Sequence, residues 1–212
     1  MRAVKLSDLS GTYNAVYSLG HLCLAAIQME KNDLRHFAGP LDWMASYSLP
    51  QVTRLLANRF SGFLAYDNLQ VKGMAGEKIY LVHETEYDIL SNHDFYIHNN
   101  FPPHLAAYPE IKAKYDRRIA RFLEKAATSG RILFIRTEAT YEETVQLQAV
   151  LSGLVAHDYR LLVINHKNVQ GIVEQEWGID NVISLEFPDE EIWEGNDALW
   201  TAIFSGITLD DQ

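Results

Sequence analysis

The chain of 212 residues contains a single cysteine, Cys23. One cysteine forms no internal disulfide, and it supplies no pair of thiols for a CxxC metal or redox motif. This cysteine content is typical of a reducing compartment, so we expect a cytoplasmic protein. It leaves two roles for Cys23: a small apolar residue packed in a core, or a reactive thiol.

Long hydrophobic runs are also missing. No stretch approaches the ~18 apolar residues that a membrane span requires. The opening segment MRAVKLSDLSGTYN starts with a basic residue but lacks the apolar block of an export signal. No repeat or Gly/Ser-rich linker interrupts the chain. We therefore predict a single domain over residues 1–212 with no membrane partner.

Positive charge is scarce, with 18 Lys and Arg residues against 28 Asp and Glu residues and a net charge of −10. The averaged field repels nucleic acid and anionic surfaces, so we expect no nucleic-acid partner. A small-molecule or peptide substrate is the remaining kind of partner.

Several motifs that bind cofactors or perform catalysis are absent. The chain has no G-x-G-x-x-G after a strand, no GxxxxGK[ST], no G-x-S-x-G and no HExxH. Its central histidines, His83, His93, His98 and His104, are separated by 10, 5 and 6 residues, which matches no helical pair or zinc-finger spacing. We therefore expect no metal and no cofactor.

Alternating strand and helix patterns predict an α/β fold. RILFIRT, YRLLVINH and NVISLEF have the continuous apolar character of buried parallel strands. A capping box of Thr140 and Glu143 predicts a helix that runs to about Ala156. An earlier strand, from about Tyr13 to Ser18, is followed by a glycine turn and a helix. These elements predict a three-layer, mostly parallel sheet flanked by helices.

Other segments give weaker signals. Helical spacing of apolar residues predicts helices in PQVTRLLANRFSGFL, between Ile111 and Ala126, and in ALWTAIFSGI. VQGIVEQEWG is typical of a helix or turn. The segment from Tyr66 to Pro109 is irregular and rich in histidine, with short strands expected at KIYLVHE and near DFYIH.

The carboxyl ends of the predicted strands define a candidate site, because ligands of parallel sheets bind at that edge. Gly20, His21 and Cys23 follow the first strand. Residues 136–138 and 165–167 follow the next two strands. We expect these groups to converge on one rim.

Cys23 comes directly after the glycine turn, near the start of a predicted helix. Backbone N–H groups and the helix dipole at such a position favour thiolate, so a reactive Cys23 is expected to have a lowered pKa. His93 is the best partner histidine because it lies in the irregular segment, and Asp94 follows it. The alternative is that the small residues of CLAAI pack a helix against the sheet.

Arg136 lies at a strand end beside the predicted helix N-terminus. That position suits a carboxylate, a phosphate or an oxyanion. An ion pair with Glu138 or Asp42 is the structural alternative.

Several segments together resemble one family. SLGHLC with the following LAA, then GPLDWM, NHDF, KYDRRIARF and LFIRTEATYEE, are similar in the same order to the bacterial family named putative papain-like cysteine peptidases. The resemblance covers about residues 13 to 165. It implies a nucleophile at Cys23 and a histidine at His93, with Asp94 or Asn165 as the third member, in the chain order of papain.

These observations leave three functional hypotheses. The first is a thiol hydrolase or acyl transferase acting through Cys23 and His93, with Asp94 or Asn165 orienting the histidine. Backbone N–H groups near Gly20 to Cys23 are its expected oxyanion donors. The second is a non-peptidase α/β domain that binds or transfers a sugar- or phosphate-bearing ligand through Arg136, Asp42, Trp43 and His93. The third is an interaction module, in which the four tryptophans and eleven tyrosines mark a core and an interface.

Overall fold

The computed structural model describes residues 4–210. The helices are α1 (Leu24–Lys31), α2 (Leu49–Ala57), α3 (Tyr108–Thr128), α4 (Tyr141–Leu154) and α5 (Asp197–Phe204). The strands are β1 (Gly11–Tyr13), β2 (Ala15–Ser18), β3 (Met44–Ala45), β4 (Leu69–Met74), β5 (Tyr80–Glu84), β6 (Ile89–Ser91), β7 (Arg131–Thr137), β8 (Asp158–Lys167), β9 (Val173–Gln175), β10 (Val182–Pro188) and β11 (Ile207–Leu209).

The main sheet has five strands in the order β2-β7-β8-β10-β9. The first four strands are parallel, and only β9 runs antiparallel to its neighbour. Residues 132–135 of β7 are completely buried, as a strand covered on both faces requires. The α/β prediction is confirmed.

Alternating side chains of β7 divide the core into two clusters, one on each face of the sheet. Ile132 and Phe134 pack in one cluster, together with side chains of α3 and α4. Leu133 and Ile135 pack in the other, together with side chains of α1 and α5. Successive residues of a strand point to opposite faces, so helices cover both sides of the sheet and form the predicted three layers.

The histidine-rich segment is more regular than its sequence indicates. It contains β4, β5 and β6, which together with β3 form a four-stranded antiparallel sheet in the order β3-β6-β5-β4. The strand expected near DFYIH is wrong, because only an isolated bridge between Tyr96 and Ile79 forms there. The carboxylate of Asp94 bonds to side chains of α3.

Two further predictions need correction. VQGIVEQEWG is neither helix nor turn throughout, because residues 173–175 form the edge strand β9 against β10. The first strand is also divided: β1 pairs with β11, and β2 pairs with β7. Asn14 lies between β1 and β2, where its side-chain oxygen accepts a hydrogen bond from the backbone of Arg131 at 2.9 Å.

Between residues 4 and 210, every helix is too short or too polar to cross a membrane.

Candidate active site at the sheet rim

Helices α1 and α4 begin at the same edge of the main sheet. They follow the segments after β2 and β7, which are neighbouring strands. Leu24 and Ala25 of α1 pack on one face of the sheet, whereas Leu147 and Leu151 of α4 pack on the other. A crevice opens where successive helices leave to opposite faces, and such crevices bind ligands in α/β proteins.

A cavity of about 270 Å³ opens at this rim, which we call the rim cavity. Its walls come from the segments that follow β2, β3 and β7, from the end of β8 and from the first turn of α4. The lining residues are His21, Tyr47, Glu138, Ala139, Thr140, Glu143, Asn165 and Lys167.

A turn at Gly20 shapes the wall beside β2. Gly20 and His21 both have a φ of 82°. Ser46 approaches this turn closely, because its Oγ accepts a hydrogen bond from the backbone N–H of His21 at 3.0 Å. A Cβ on residue 20 would lie 2.2 Å from that oxygen. The position therefore requires glycine for its conformation and for its space.

Arg136 lies beneath the cavity and is completely buried. Its guanidinium donates hydrogen bonds to the carbonyl oxygens of Leu19 at 3.0 Å, Ser46 at 2.9 Å and Tyr47 at 3.4 Å. Burial lowers the pKa of Arg136 to about 10, so the side chain remains charged at neutral pH. Arg136 thus supports the wall of the cavity from below.

Asp42 pairs with Arg35 and not with Arg136. Its carboxylate accepts hydrogen bonds from Arg35 Nε at 2.8 Å and from the backbone of Gly39 at 2.8 Å. Burial raises the pKa of Asp42, although both hydrogen bonds oppose that shift. Asp42 therefore stabilises the loop before β3.

A carboxylate and a histidine are paired beside the rim cavity. Glu138 Oε1 lies 2.5 Å from His166 Nδ1, and the backbone N–H of His166 donates to the same oxygen at 3.1 Å. Burial alone would raise the pKa of Glu138, but the hydrogen bonds from His166 outweigh it and lower the pKa. Glu138 is therefore ionised at neutral pH. Its φ of 57° is uncommon for a residue with a side chain.

His21 faces Glu138 from the other side of the rim. Burial lowers the pKa of His21, and the cation of Arg136 lowers it further. Its imidazole is therefore neutral at pH 7 and presents a nitrogen that accepts a hydrogen bond. The ring of Tyr47 packs edge-on against it, with ring centroids 5.5 Å apart.

Asn165 closes the wall beside β8. Its side-chain oxygen accepts from the backbone of Ala139 at 2.8 Å, and its amide nitrogen donates to the carbonyl of Ala139 at 3.0 Å. The predicted capping box begins α4 next to it. Glu143 Oε2 accepts from the backbone of Thr140 at 2.9 Å, and Thr140 Oγ1 accepts from the backbone of Glu143 at 3.2 Å.

Cys23 is the residue that caps the N-terminus of α1. It is partly exposed. Burial raises the pKa of its thiol, and the opposing effect of its own backbone N–H is smaller. The position at a helix N-terminus was expected to lower the pKa of Cys23. The pKa is raised instead, because desolvation of the thiol has the larger effect. The resting form of Cys23 is therefore the thiol.

His93 follows β6, a strand of the antiparallel sheet, by two residues. Its exposed ring packs edge-on against Trp43, with centroids 5.4 Å apart. The guanidinium of Arg35 covers Trp43 at 5.3 Å from the ring centroid. Within residues 4–210, no hydrogen bond joins His93 to Cys23.

Asp94 points away from His93 and into the protein. Its carboxylate accepts hydrogen bonds from Ser91 Oγ at 2.7 Å and Tyr115 Oη at 2.8 Å, and it pairs with Lys114. Burial raises the pKa of Tyr115 well above its ordinary value, and Asp94 adds to that effect. These bonds hold the loop that contains His93 against α3.

Comparison with known proteins gives the family of the chain. A family model described as putative papain-like cysteine peptidase matches residues 14–169. The chain belongs to this family. A relative from Acanthamoeba polyphaga mimivirus, named Uncharacterized protein R408, is 25% identical over 182 residues, with 71% of this chain and 78% of the relative covered. No solved structure matched the chain.

The match to the putative papain-like cysteine peptidase family includes Cys23, His93 and every residue that lines the rim cavity. Sequence reasoning reached the rim through the strand ends, residues 165–167 included, but missed Tyr47 and Glu143 as members of the site. Glu143 had a signal in its capping box. Tyr47 had none, because only the tertiary fold brings the end of β3 to the rim.

Among the residues that the structure describes, no three or more His, Cys, Asp and Glu side chains are grouped so as to hold a metal ion.

Proposed function

We propose that the protein is a thiol hydrolase or acyl transferase in which Cys23 is the nucleophile. The observation that carries this proposal is the position of Cys23, partly exposed at the N-terminus of α1, the helix that follows β2. Membership of a family described as putative papain-like cysteine peptidase supports the same chemistry.

We assign the general base to His93, and contacts along α1 support this choice. Cys23 and Glu30 are seven residues apart, close to two turns of about 3.6 residues each, so they share one face of the helix. Glu30 pairs with Arg35 at 3.7 Å, and Arg35 covers the Trp43 ring against which His93 packs. These contacts support a position of His93 on the side of α1 that presents Cys23.

The reaction begins from a protonated thiol. His93 takes the proton from Sγ as the sulfur attacks the substrate carbonyl, so that an S–C bond forms. His93 then returns the proton to the leaving group as its bond to the carbonyl carbon breaks. Water or an amine cleaves the resulting thioester and regenerates Cys23. Backbone N–H groups at Leu22 and Cys23 are the proposed oxyanion donors, because those of Gly20 and His21 bond to Ser18 and Ser46.

The remaining predicted residues have positioning roles in this proposal. Trp43 orients the ring of His93 through their edge-on contact. Asp94 fixes the backbone of the loop through its bonds to α3. Asn165 shapes the rim through Ala139. None of the three needs to contact the reacting atoms.

An activated ester tests the nucleophile. Incubation with p-nitrophenyl acetate should give one acetyl group on Cys23, located by mass spectrometry of peptides. Cys23→Ala should give no such adduct and no burst of p-nitrophenol. A burst of unchanged size in Cys23→Ala, or an acetyl group on another residue of the wild-type protein, contradicts the proposal.

The rim cavity favours a second candidate function, that of a domain that binds or transfers a polar ligand without thiol chemistry. Of the two ligand classes considered, a sugar fits better than a phosphate, because the guanidinium of Arg136 donates to backbone carbonyls and two carboxylates line the cavity. Cys23→Ala would leave such binding intact. Loss of ligand binding in a folded Cys23→Ala protein would exclude this candidate.

A further inference from the structure

The free polar atoms of the rim cavity are mainly hydrogen-bond acceptors. The bonds that Glu138 accepts from His166 go to Oε1, and those that Glu143 accepts from Thr140 go to Oε2. Each carboxylate therefore retains a second oxygen for a ligand. His21 contributes a neutral imidazole nitrogen.

The donors around the cavity are mostly occupied by the protein itself. The backbone N–H of Glu138 bonds to Ile164, that of Ala139 to Asn165, and that of Thr140 to Glu143. The capping box therefore uses donors at the start of α4 that would otherwise attract an anion. Arg136, although positive, directs its hydrogen bonds to carbonyls beneath the cavity.

An aromatic ring completes the lining. Tyr47 is 60% exposed, and its side chain forms part of the cavity wall. A cation placed over the face of such a ring is attracted by the electron density of the ring. Lys167, which is exposed and also lines the cavity, would repel such a cation because both carry a positive charge.

We propose that the rim cavity binds the protonated primary amine of a small ligand. Glu138 and Glu143 accept hydrogen bonds from the ammonium group, His21 accepts a third, and Tyr47 packs against the cation. The volume of about 270 Å³ accommodates the amine and a few neighbouring atoms. A peptide amino terminus, an amino sugar and an alkylamine all carry this group. The proposal rests on the cavity and is independent of the nucleophile Cys23.

NMR titration with matched probes tests the ligand chemistry. The ammonium probes are n-butylamine, glucosamine and alanyl-alanine amide, and their uncharged counterparts are 1-butanol, glucose and N-acetyl-alanyl-alanine amide. At pH 7, at least one ammonium probe should bind about tenfold or more tightly than its counterpart, as expected for a charged hydrogen bond. The strongest of the three identifies the source of the amine. Equal binding of each pair, no binding, or tighter binding of acetate or phosphate overturns the proposal.

Charge variants that preserve the fold locate the site. Glu143→Gln removes the charge but keeps the capping box, since glutamine also serves at that position. Glu138→Gln retains an oxygen for His166. Each should weaken amine binding by about tenfold. The matched control is Glu142→Gln, which removes the same charge from the first turn of α4 outside the cavity. Equal losses in Glu142→Gln and Glu143→Gln contradict the proposal.

Two further variants test the effect of Lys167 on amine binding and the independence of the rim cavity from Cys23. Lys167→Met should tighten amine binding because it removes a like charge, and weaker binding there contradicts the proposal. Cys23→Ala should bind the amine as the wild type does. If Cys23→Ala abolishes acylation but keeps amine binding, the nucleophile and the amine site are separate. Loss of amine binding in folded Cys23→Ala protein would show that the rim cavity does not bind the amine independently of Cys23.

Discussion

At the residue scale, Gly20 shows how one position controls the rim. Its φ of 82° and the nearby Ser46 oxygen leave no room for a side chain. Gly20→Ala should therefore lower the free energy of unfolding by about 1–3 kcal/mol more than backbone strain alone. The measurement is urea denaturation.

Gly62→Ala is the matched control for Gly20→Ala. Gly62 has a φ of 75° and no atom within 4 Å of its hypothetical Cβ. Its substitution should cost only the strain of the left-handed conformation, about 1 kcal/mol. Equal losses in the two variants would show that contact with Ser46 is unimportant.

Cys23 gives a pH-dependent prediction at the same scale. Because burial raises the thiol pKa above its ordinary value of 9.0, thiolate is scarce at pH 7 and increases only as the pH rises through that higher value. Iodoacetamide should accordingly label the folded protein more slowly than the urea-unfolded chain at pH 7 to 9. Labelling of folded protein that reaches a plateau below pH 8 contradicts the raised pKa.

The site could be predicted from the sequence only in part. The strand ends predicted the neighbourhood of His21 and Asn165, because carboxyl ends of parallel strands meet at one edge. The state of Cys23 could not be predicted, because its pKa depends on desolvation by residues distant in sequence. The partners of Asp94 also belong to a different element, α3.

At the element scale, α4 is the helix whose start the sequence describes best. Thr140 and Glu143 form the predicted capping box. Thr140→Ala should lower the free energy of unfolding by about 1 kcal/mol, measured by urea denaturation. Glu143→Gln, which keeps the motif, should cost less. The reverse order would contradict the role of the capping box.

The strands differ in how strongly their own sequence indicates them. β7 and β8 were predicted closely because long apolar runs require burial on both faces. β3 and β9 were missed because strands of two and three residues have no periodic signal and depend on their neighbours. At DFYIH, Tyr96 forms only an isolated bridge with Ile79.

At the scale of the whole molecule, Arg136 connects the main sheet to the segment after β3. It donates to carbonyls of Leu19, Ser46 and Tyr47 from a fully buried position. Arg136→Met leaves these acceptors without a donor, so the free energy of unfolding should fall by about 3 kcal/mol.

Arg117→Met is the control for Arg136→Met in urea denaturation. Arg117 is exposed on α3, and its substitution should change stability by less than about 0.5 kcal/mol. A similar small change in Arg136→Met would mean that the buried guanidinium does not hold the rim together.

The proposed action of His93 as the general base for Cys23 is tested by the rate of Cys23 acylation. Stopped-flow measurement of the p-nitrophenol burst compares His93→Gln with His98→Gln, a matched change in an exposed histidine of the same loop. We expect His93→Gln to slow the burst by about 100-fold or more, as for loss of a general base, and His98→Gln to leave it unchanged. A burst in His93→Gln as fast as in the wild type would show that His93 is not the base.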